Sequence, residues 1–271
     1  MSANTVKRIL SALVMALVAS LCVYFGEETT YLLIFIVGLI VNDEIVKNFF
    51  KRKRGSVTYF LVQLIYSSVL AFSYRFITLQ YSLVIGSALL SLFLLFYLFA
   101  MPMKDNLLSI VEKKAPVLIF LFTLLPMGSI AYLLNFEKWE LILLLLLLVN
   151  FGMDTGAWFF GKMFGKHKLW PKISPNKTVE GLVGGMAISG VLGHLFWFKF
   201  IDDSVMWIFV PFAILGFLSQ LGDLVQSKFK RQFKIKDSSS LIPGHGGMYD
   251  RIDSLVFVLP FFAIVMNYYY M

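Results

Sequence analysis

The chain has 271 residues, 59% of them hydrophobic and only 15% charged, with a mean hydropathy of +0.79. A soluble domain could not remove that much apolar surface from water, so the composition excludes an ordinary soluble enzyme or binding module and points to a polytopic membrane protein. The formal net charge of +8 would suit a nucleic-acid binder, but the placement of the charges assigns it to membrane topology instead, and no nucleic-acid partner is expected.

Nine apolar segments can be drawn, at about 9–25, 31–46, 57–72, 81–101, 116–134, 139–153, 179–198, 205–225 and 252–270. Each is close to the roughly 20 residues that cross a hydrocarbon core. The first follows Lys7 and Arg8 and superficially resembles a signal peptide. No small-x-small cleavage site follows it, so it reads as a retained span. Cys22, the single cysteine, lies inside that segment with Leu21 before it. That excludes an intrachain disulfide and does not suit a lipoprotein signal. Asn42, Asp43 and Glu44 interrupt the second segment. The expectation is a helix that ends early, the alternative a polar end facing the protein interior. The basic run 51–54 reads as a stop-transfer anchor, with lipid-phosphate binding as the other reading. Residues 103–116 are weakly amphipathic and form a candidate interfacial helix.

With the N-terminus in the cytoplasm, 21 of the 24 Lys and Arg residues fall on the inner side. Only Arg75, Lys138 and Lys199 fall outside, a strong positive-inside signal. The expected fold is therefore all-α, a polytopic integral membrane protein of about nine transmembrane helices. It forms a single membrane domain, 1–271, with N-terminal helices over 1–138 and catalytic helices and cytoplasmic loops over 139–271.

The sixth segment changes character at its end, where Asn150 and Asp154 lie one turn apart on one face. A carboxylate at mid-membrane costs about 2.5–3.5 kcal/mol, so Asp154 is a functional candidate, with a helix-end cap as the alternative. In the loop that follows, Ser174-Pro175 and Thr178 signal a helix start, with Glu180 in the first turn. Lys177 adds a positive charge at that helix N-terminus, where phosphate can dock. Gly181, Gly185, Ser189 and Gly193 recur every four residues, a stripe for close helix packing that also leaves room for a homodimer. His167 and His194 read as satisfied or exposed histidines rather than ligands. The last three tyrosines, 268–270, suit an outer interfacial belt.

Most chemically useful groups lie in one polar stretch, 222–254, between the last two apolar runs. Ser219, Asp223, Ser227 and Arg231 are spaced by four and form a polar stripe on a helix, with Gln220, Gln226 and Lys230 beside it. Lys228, Lys234, Lys236 and Asp237 add charge. The turn Pro243-Gly244-His245-Gly246-Gly247 then leads to Asp250, Arg251 and Asp253 at the start of the last helix. Carboxylates on two helix ends suit a hard cation such as Mg2+. Free N–H groups in a glycine turn entering a helix suit phosphate oxygens. His245 can donate to phosphate or simply pack in the turn. For Asp223 the competing view is an ion pair with Arg251, and for Asp250 and Asp253 a capping role.

The run from Ser227 through Lys230, Arg231, Lys236, Asp237, Ser239, Ile242, Pro243, His245, Gly246 and Gly247 to Asp250, Arg251 and Asp253 resembles the signature of the phosphatidate cytidylyltransferases (CDP-diacylglycerol synthases). So does the earlier pattern Asp154-Thr-Gly-Ala with Ser174-Pro-Asn-Lys-Thr-x-Glu180-Gly. Together they cover roughly residues 150–254. The resemblance implies a Mg2+-dependent nucleotidyltransferase of phospholipid biosynthesis, joining CTP to phosphatidic acid and releasing pyrophosphate. It implies catalytic roles for Asp223, Asp250, Lys230, Arg231 and Arg251. Substrate binding falls to Ser174, Lys177, Ser227, Lys236, His245, Gly246 and Gly247. The metal ligands would be Asp223, Asp250, Asp253 and Asp154, holding Mg2+ alone or with a second cation. The site would face the cytoplasm from the inner membrane, among membrane lipids. A related CTP-using enzyme acting on a polyprenol or archaeol lipid is the alternative substrate reading. A transporter, which could also carry Asp154 and Asp223 in its spans, is disfavoured by the odd helix count and the lack of repeated halves.

Overall fold

The computed structural model describes residues 3–102, 118, 120–202 and 205–270. The expected interfacial helix at 103–116 lies outside the described residues. Nine α-helices occur among those described: α1 (Ala3–Tyr24), α2 (Glu27–Glu44), α3 (Val57–Ser73), α4 (Ile77–Ala100), α5 (Leu121–Leu133), α6 (Trp139–Phe164), α7 (Val179–Phe200), α8 (Phe209–Gln232) and α9 (Tyr249–Tyr270). Each expected apolar segment coincides with one of them, because runs of apolar residues can satisfy their backbone in hydrocarbon only as helix. Seven, α3 and α5 aside, are long and apolar enough to cross a membrane. Among the described residues the only strands form a two-stranded antiparallel hairpin, β1 (Lys168–Trp170) with β2 (Ser174–Thr178).

The chain divides into two compact units, one of residues 1–87, 101–134 and 230–252, the other of 88–100, 135–229 and 253–271. In the first, α2 packs on α1, α3 and α5. Val62, Tyr66 and Leu70 of α3, spaced by four, are fully buried as one face. The expected early end of α2 is wrong. The helix runs through Asn42–Glu44 and on into a π turn at Ile45–Phe49. Asn42 and Glu44 are buried. The physical reason is that every polar group there is matched. Thr123 donates to Asn42 Oδ1 at 2.8 Å, and Asn42 Nδ2 donates to Gln63 at 3.2 Å. Asp43 accepts from Arg54 at 2.7 Å and from Tyr59 at 2.7 Å. Arg54, in the expected stop-transfer run, is thus also an ion-pair partner.

In the second unit α6 and α7 run in close contact. A Cβ at Gly156 would stand 2.9 Å from the Gly185 Cα, and one at Gly181 would stand 2.6 Å from the Ala157 carbonyl oxygen. The small-residue stripe is therefore a packing seam. Gly156→Leu should force the helices apart, costing about 1–3 kcal/mol or more. The expected outcome is a lowered thermal midpoint and a loss of monodisperse protein in detergent, read by size-exclusion chromatography. Ser174-Pro175 does not start the helix, as the sequence suggested, but lies in β2. Both strands of a two-stranded sheet are edges, which tolerate the missing proline N–H. Thr178 alone is the cap, its hydroxyl accepting from Gly181 N at 3.1 Å.

Candidate active site

In the second unit, three elements bring charged side chains to one cavity of about 200 Å3. Asp154 comes from α6, Lys177 from β2, and Gln220 and Asp223 from α8, with Thr178 and Gly181 at the start of α7 closing one side. Asp154 sits well inside α6, which runs ten residues past it to Phe164, so it is no helix-end cap. The hairpin delivers Lys177. Its Nζ stands 2.5 Å from Asp223 Oδ2 and donates to the Gln220 carbonyl at 3.4 Å. The Lys177 side chain is only 15% exposed and that of Asp223 33%, a half-sheltered pair open to a ligand. Ser227, one turn beyond, donates to Asp223 Oδ1 at 3.3 Å. The ion-pair partner of Asp223 within this unit is thus Lys177.

The stripe on α8 is used along its length. Ser219 donates to Asn150 Oδ1 at 2.6 Å, and Asn150 Nδ2 donates to Ser254 at 3.3 Å, so Asn150 braces α6 against α8 and α9. Asp253, within the first turns of α9, accepts from the adjacent Ser254 N–H at 2.9 Å. Lys228 is fully buried, donates to the Tyr97 carbonyl at 2.7 Å and lies 4.1 Å over the Tyr97 ring. The sequence had marked it only as one of several loop cations.

In the first unit the polar stretch is organised by two buried carboxylates. Asp250, its side chain 4% exposed, accepts on Oδ1 from Lys230 at 3.1 Å. Its Oδ2 accepts from Ser238 N at 2.7 Å, Gly247 N at 3.0 Å and Ser238 Oγ at 3.0 Å. From the sequence Glu44 reads only as part of the interruption of the second segment, with no role of its own. It accepts from Ser239 Oγ at 2.6 Å, Ser238 Oγ at 2.9 Å, and the backbone N–H groups of Met248 and Tyr249, both at 2.9 Å. A carboxylate from α2 thereby caps α9 across 204 positions of sequence. The signal that could have found it was a charge inside an apolar run.

The glycine turn wraps these carboxylates. Gly244 and Gly246 have φ of 77° and 87°, which favours glycine, and a Cβ on Gly247 would come within 2.6 Å of Glu44 Oε2. The N–H groups of Gly247, Met248 and Tyr249, expected to be free for phosphate, serve Asp250 and Glu44 here. His245 Nδ1 lies 2.8 Å from Ser11 Oγ, and Arg8 donates to the Gly244 carbonyl at 2.8 Å. Desolvation, then the charges of Arg251 and Arg8, push the His245 imidazole below its usual range, toward the neutral form. Arg231, Lys236 and Arg251 are exposed, and Ser174 is half-buried.

Among the described residues no group of three or more His, Cys, Asp or Glu is gathered as a metal site. Two carboxylates, Asp154 and Asp223, do line one cavity with the Gln220 and Asn176 side chains. Mg2+ commonly takes one or two carboxylates and fills its remaining positions with water and substrate phosphate, so this oxygen-rich set fits it.

The chain's sequence is similar to those of known proteins. Over 115 residues the chain is 53% identical to a phosphatidate cytidylyltransferase of Staphylococcus aureus, 52% to one of Staphylococcus saprophyticus and 50% to one of Staphylococcus haemolyticus. The matched stretch is 42% of this chain and 44% of each relative, so the chain matches less than half the length of these relatives. A sequence profile of the cytidylyltransferase family, in contrast, matches residues 6–269. By that match across nearly the whole chain, the protein belongs to the cytidylyltransferase family.

Proposed function

We propose that the chain transfers CMP from CTP to phosphatidic acid, giving CDP-diacylglycerol and pyrophosphate. The observation that carries the reading is the convergence of Asp154, Lys177 and Asp223 on one cavity in a membrane protein of this family. A phosphate oxygen of phosphatidate attacks the α-phosphorus of CTP. A new P–O bond forms, the α–β anhydride bond breaks, and pyrophosphate leaves with the electron pair. With a second pKa near 6, the attacking phosphate monoester is largely ionised at neutral pH, so no protein base is required.

The chain's work is to bring two anions together and stabilise the charge that develops on them. Lys177 places an ammonium in the cavity. By the resemblance alone, Lys230 and Arg231 are assigned as further cations, and Arg251, Lys236, Ser174, Ser227 and the His245–Gly247 turn as substrate contacts. Asp154 and Asp223 would hold Mg2+, with Asp250 and Asp253 assigned to the same task by the resemblance alone. When bound, the cation neutralises charge on the triphosphate. The cytoplasmic side is the side of the basic loops, and the nine helices cross with the N-terminus inside.

The test is pyrophosphate release by purified protein in detergent. It requires CTP together with phosphatidate, and arms with polyprenyl phosphate and archaeol substrates decide the lipid. No release with any lipid sinks the reading. Arg231→Lys should lower turnover by about tenfold or more, because a point charge does not replace a bidentate guanidinium. Wild-type turnover in that variant would make Arg231 an ordinary loop charge. A reporter fused after Met271 should behave as extracytoplasmic, and cytoplasmic behaviour would overturn the nine-span topology.

A further inference from the structure

Beside the carboxylate-lined cavity, within the same unit, lies a second cavity of about 450 Å3. Every residue lining it is apolar. Leu169 and Trp170 come from β1, Leu182 from α7, and Leu221 and Leu224 from α8. Phe99, near the end of α4, closes it against Trp170, the rings 5.5 Å apart.

The two cavities share walls. Leu182 lines both. On α8, Gln220 and Asp223 face the polar cavity, while their immediate neighbours Leu221 and Leu224 face the apolar one. Consecutive helical residues are turned about 100° from each other, so one helix presents a charged stripe and an apolar stripe side by side. The hairpin repeats the arrangement, with Lys177 of β2 in the polar cavity and Trp170 of β1 in the apolar one. A nucleobase can stack on Phe99, Trp170 or Phe217, but its polar edges and the triphosphate would find few side-chain partners among these residues, so the nucleotide as a whole does not suit the chamber. A lipid phosphate does, because its charged head and its hydrocarbon begin within a few bonds of each other.

We infer that this apolar cavity seats an acyl chain of the lipid substrate while the phosphate headgroup lies by Lys177. The assignment rests on the lipid-substrate reading above. It makes Leu169, Trp170, Leu182 and Leu224 the residues that sense chain length. The occupant is substrate hydrocarbon rather than an ordinary bilayer lipid, because the adjoining cavity offers an ammonium at the position of an anionic head.

Two measurements test this. In the first, Leu169→Trp narrows the cavity and Leu169→Ala widens it. Leu169→Trp should raise KM for dioleoyl phosphatidate at least tenfold, leaving KM for dioctanoyl phosphatidate within about twofold and KM for CTP unchanged. Leu169→Ala should alter the long-chain KM alone. An equal change for both chain lengths, or a change in KM for CTP, overturns the assignment. The second measurement needs no turnover. Trp170 emission, taken as wild type minus Trp170→Phe in detergent micelles, should be quenched by phosphatidate brominated on its acyl chains. Half-quenching should come at a several-fold lower mole fraction than with equally brominated phosphatidylcholine. Equal quenching by both lipids marks an ordinary lipid contact and overturns the inference. Selective quenching without phosphatidate turnover keeps the chain-holding cavity and rejects the reaction. Turnover without selective quenching does the reverse.

Discussion

Asp223→Asn should abolish measurable turnover while the protein stays folded. The amide keeps the shape of the carboxylate and can still accept from Ser227, which stands 3.3 Å away, but it carries no charge. Lys177, 2.5 Å from Asp223 Oδ2, would keep its ammonium without its counter-ion. If Asp223 helps to hold the cation, the loss is one of charge stabilisation at the reacting phosphates, about 10²–10³ or more in turnover. Raised Mg2+ or substituted Mn2+ should restore part of it. If the pair with Lys177 is only a strut, the variant loses stability instead, since a largely sheltered ammonium is left without its counter-ion. It would then turn over with an unchanged Mg2+ dependence. A Mg2+ titration of the folded variant separates the two, and a normal titration ends the metal assignment of Asp223.

Glu44→Ala should be among the most destabilising single changes outside the helix seams. It removes the acceptor for Ser238 Oγ, Ser239 Oγ, Met248 N and Tyr249 N at once. Each buried donor left without a partner costs about 1–3 kcal/mol, so even partial rescue by water leaves a loss on the order of 3 kcal/mol. An ordinary surface glutamate would change stability by no more than about 0.5 kcal/mol. The loss should be local as well as global. Hydrogen exchange over residues 238–249 should speed up, because these four bonds hold the loop and the first turn of α9 to α2. Glu44→Gln keeps one oxygen acceptor and should fall between. An unchanged thermal midpoint together with unchanged exchange in Glu44→Ala would show that the loop holds itself.

Helix placement was legible in the sequence because it is a local property. A run such as 139–149 has no alternative to helix in hydrocarbon, and the positions of Gly181, Gly185, Ser189 and Gly193 already marked a seam. Asp154 and Asp223 were legible as candidates because an ionisable group in an apolar run is a functional candidate by default, and Lys177 because it stood beside a helix start. Their mutual arrangement was not. That Lys177 pairs with Asp223 depends on a hairpin that brings β2 to α8. The hairpin's residues looked like a helix start because Ser, Pro and Thr serve both purposes.

The sequence by itself determined the class of the protein, the helices and the residue types available for phosphate and metal. Each follows from side-chain hydrophobicity and charge counted along the chain. Only the tertiary structure decided which groups are spent on holding the protein together. Glu44 lies 205 positions from Tyr249, and no periodicity spans that distance. Lys228 looked like its neighbour Lys230 but is buried against Tyr97. The physical reason is the same for both. A buried charge is tolerated only where partners surround it, and those partners come from elements that meet only when the chain has folded.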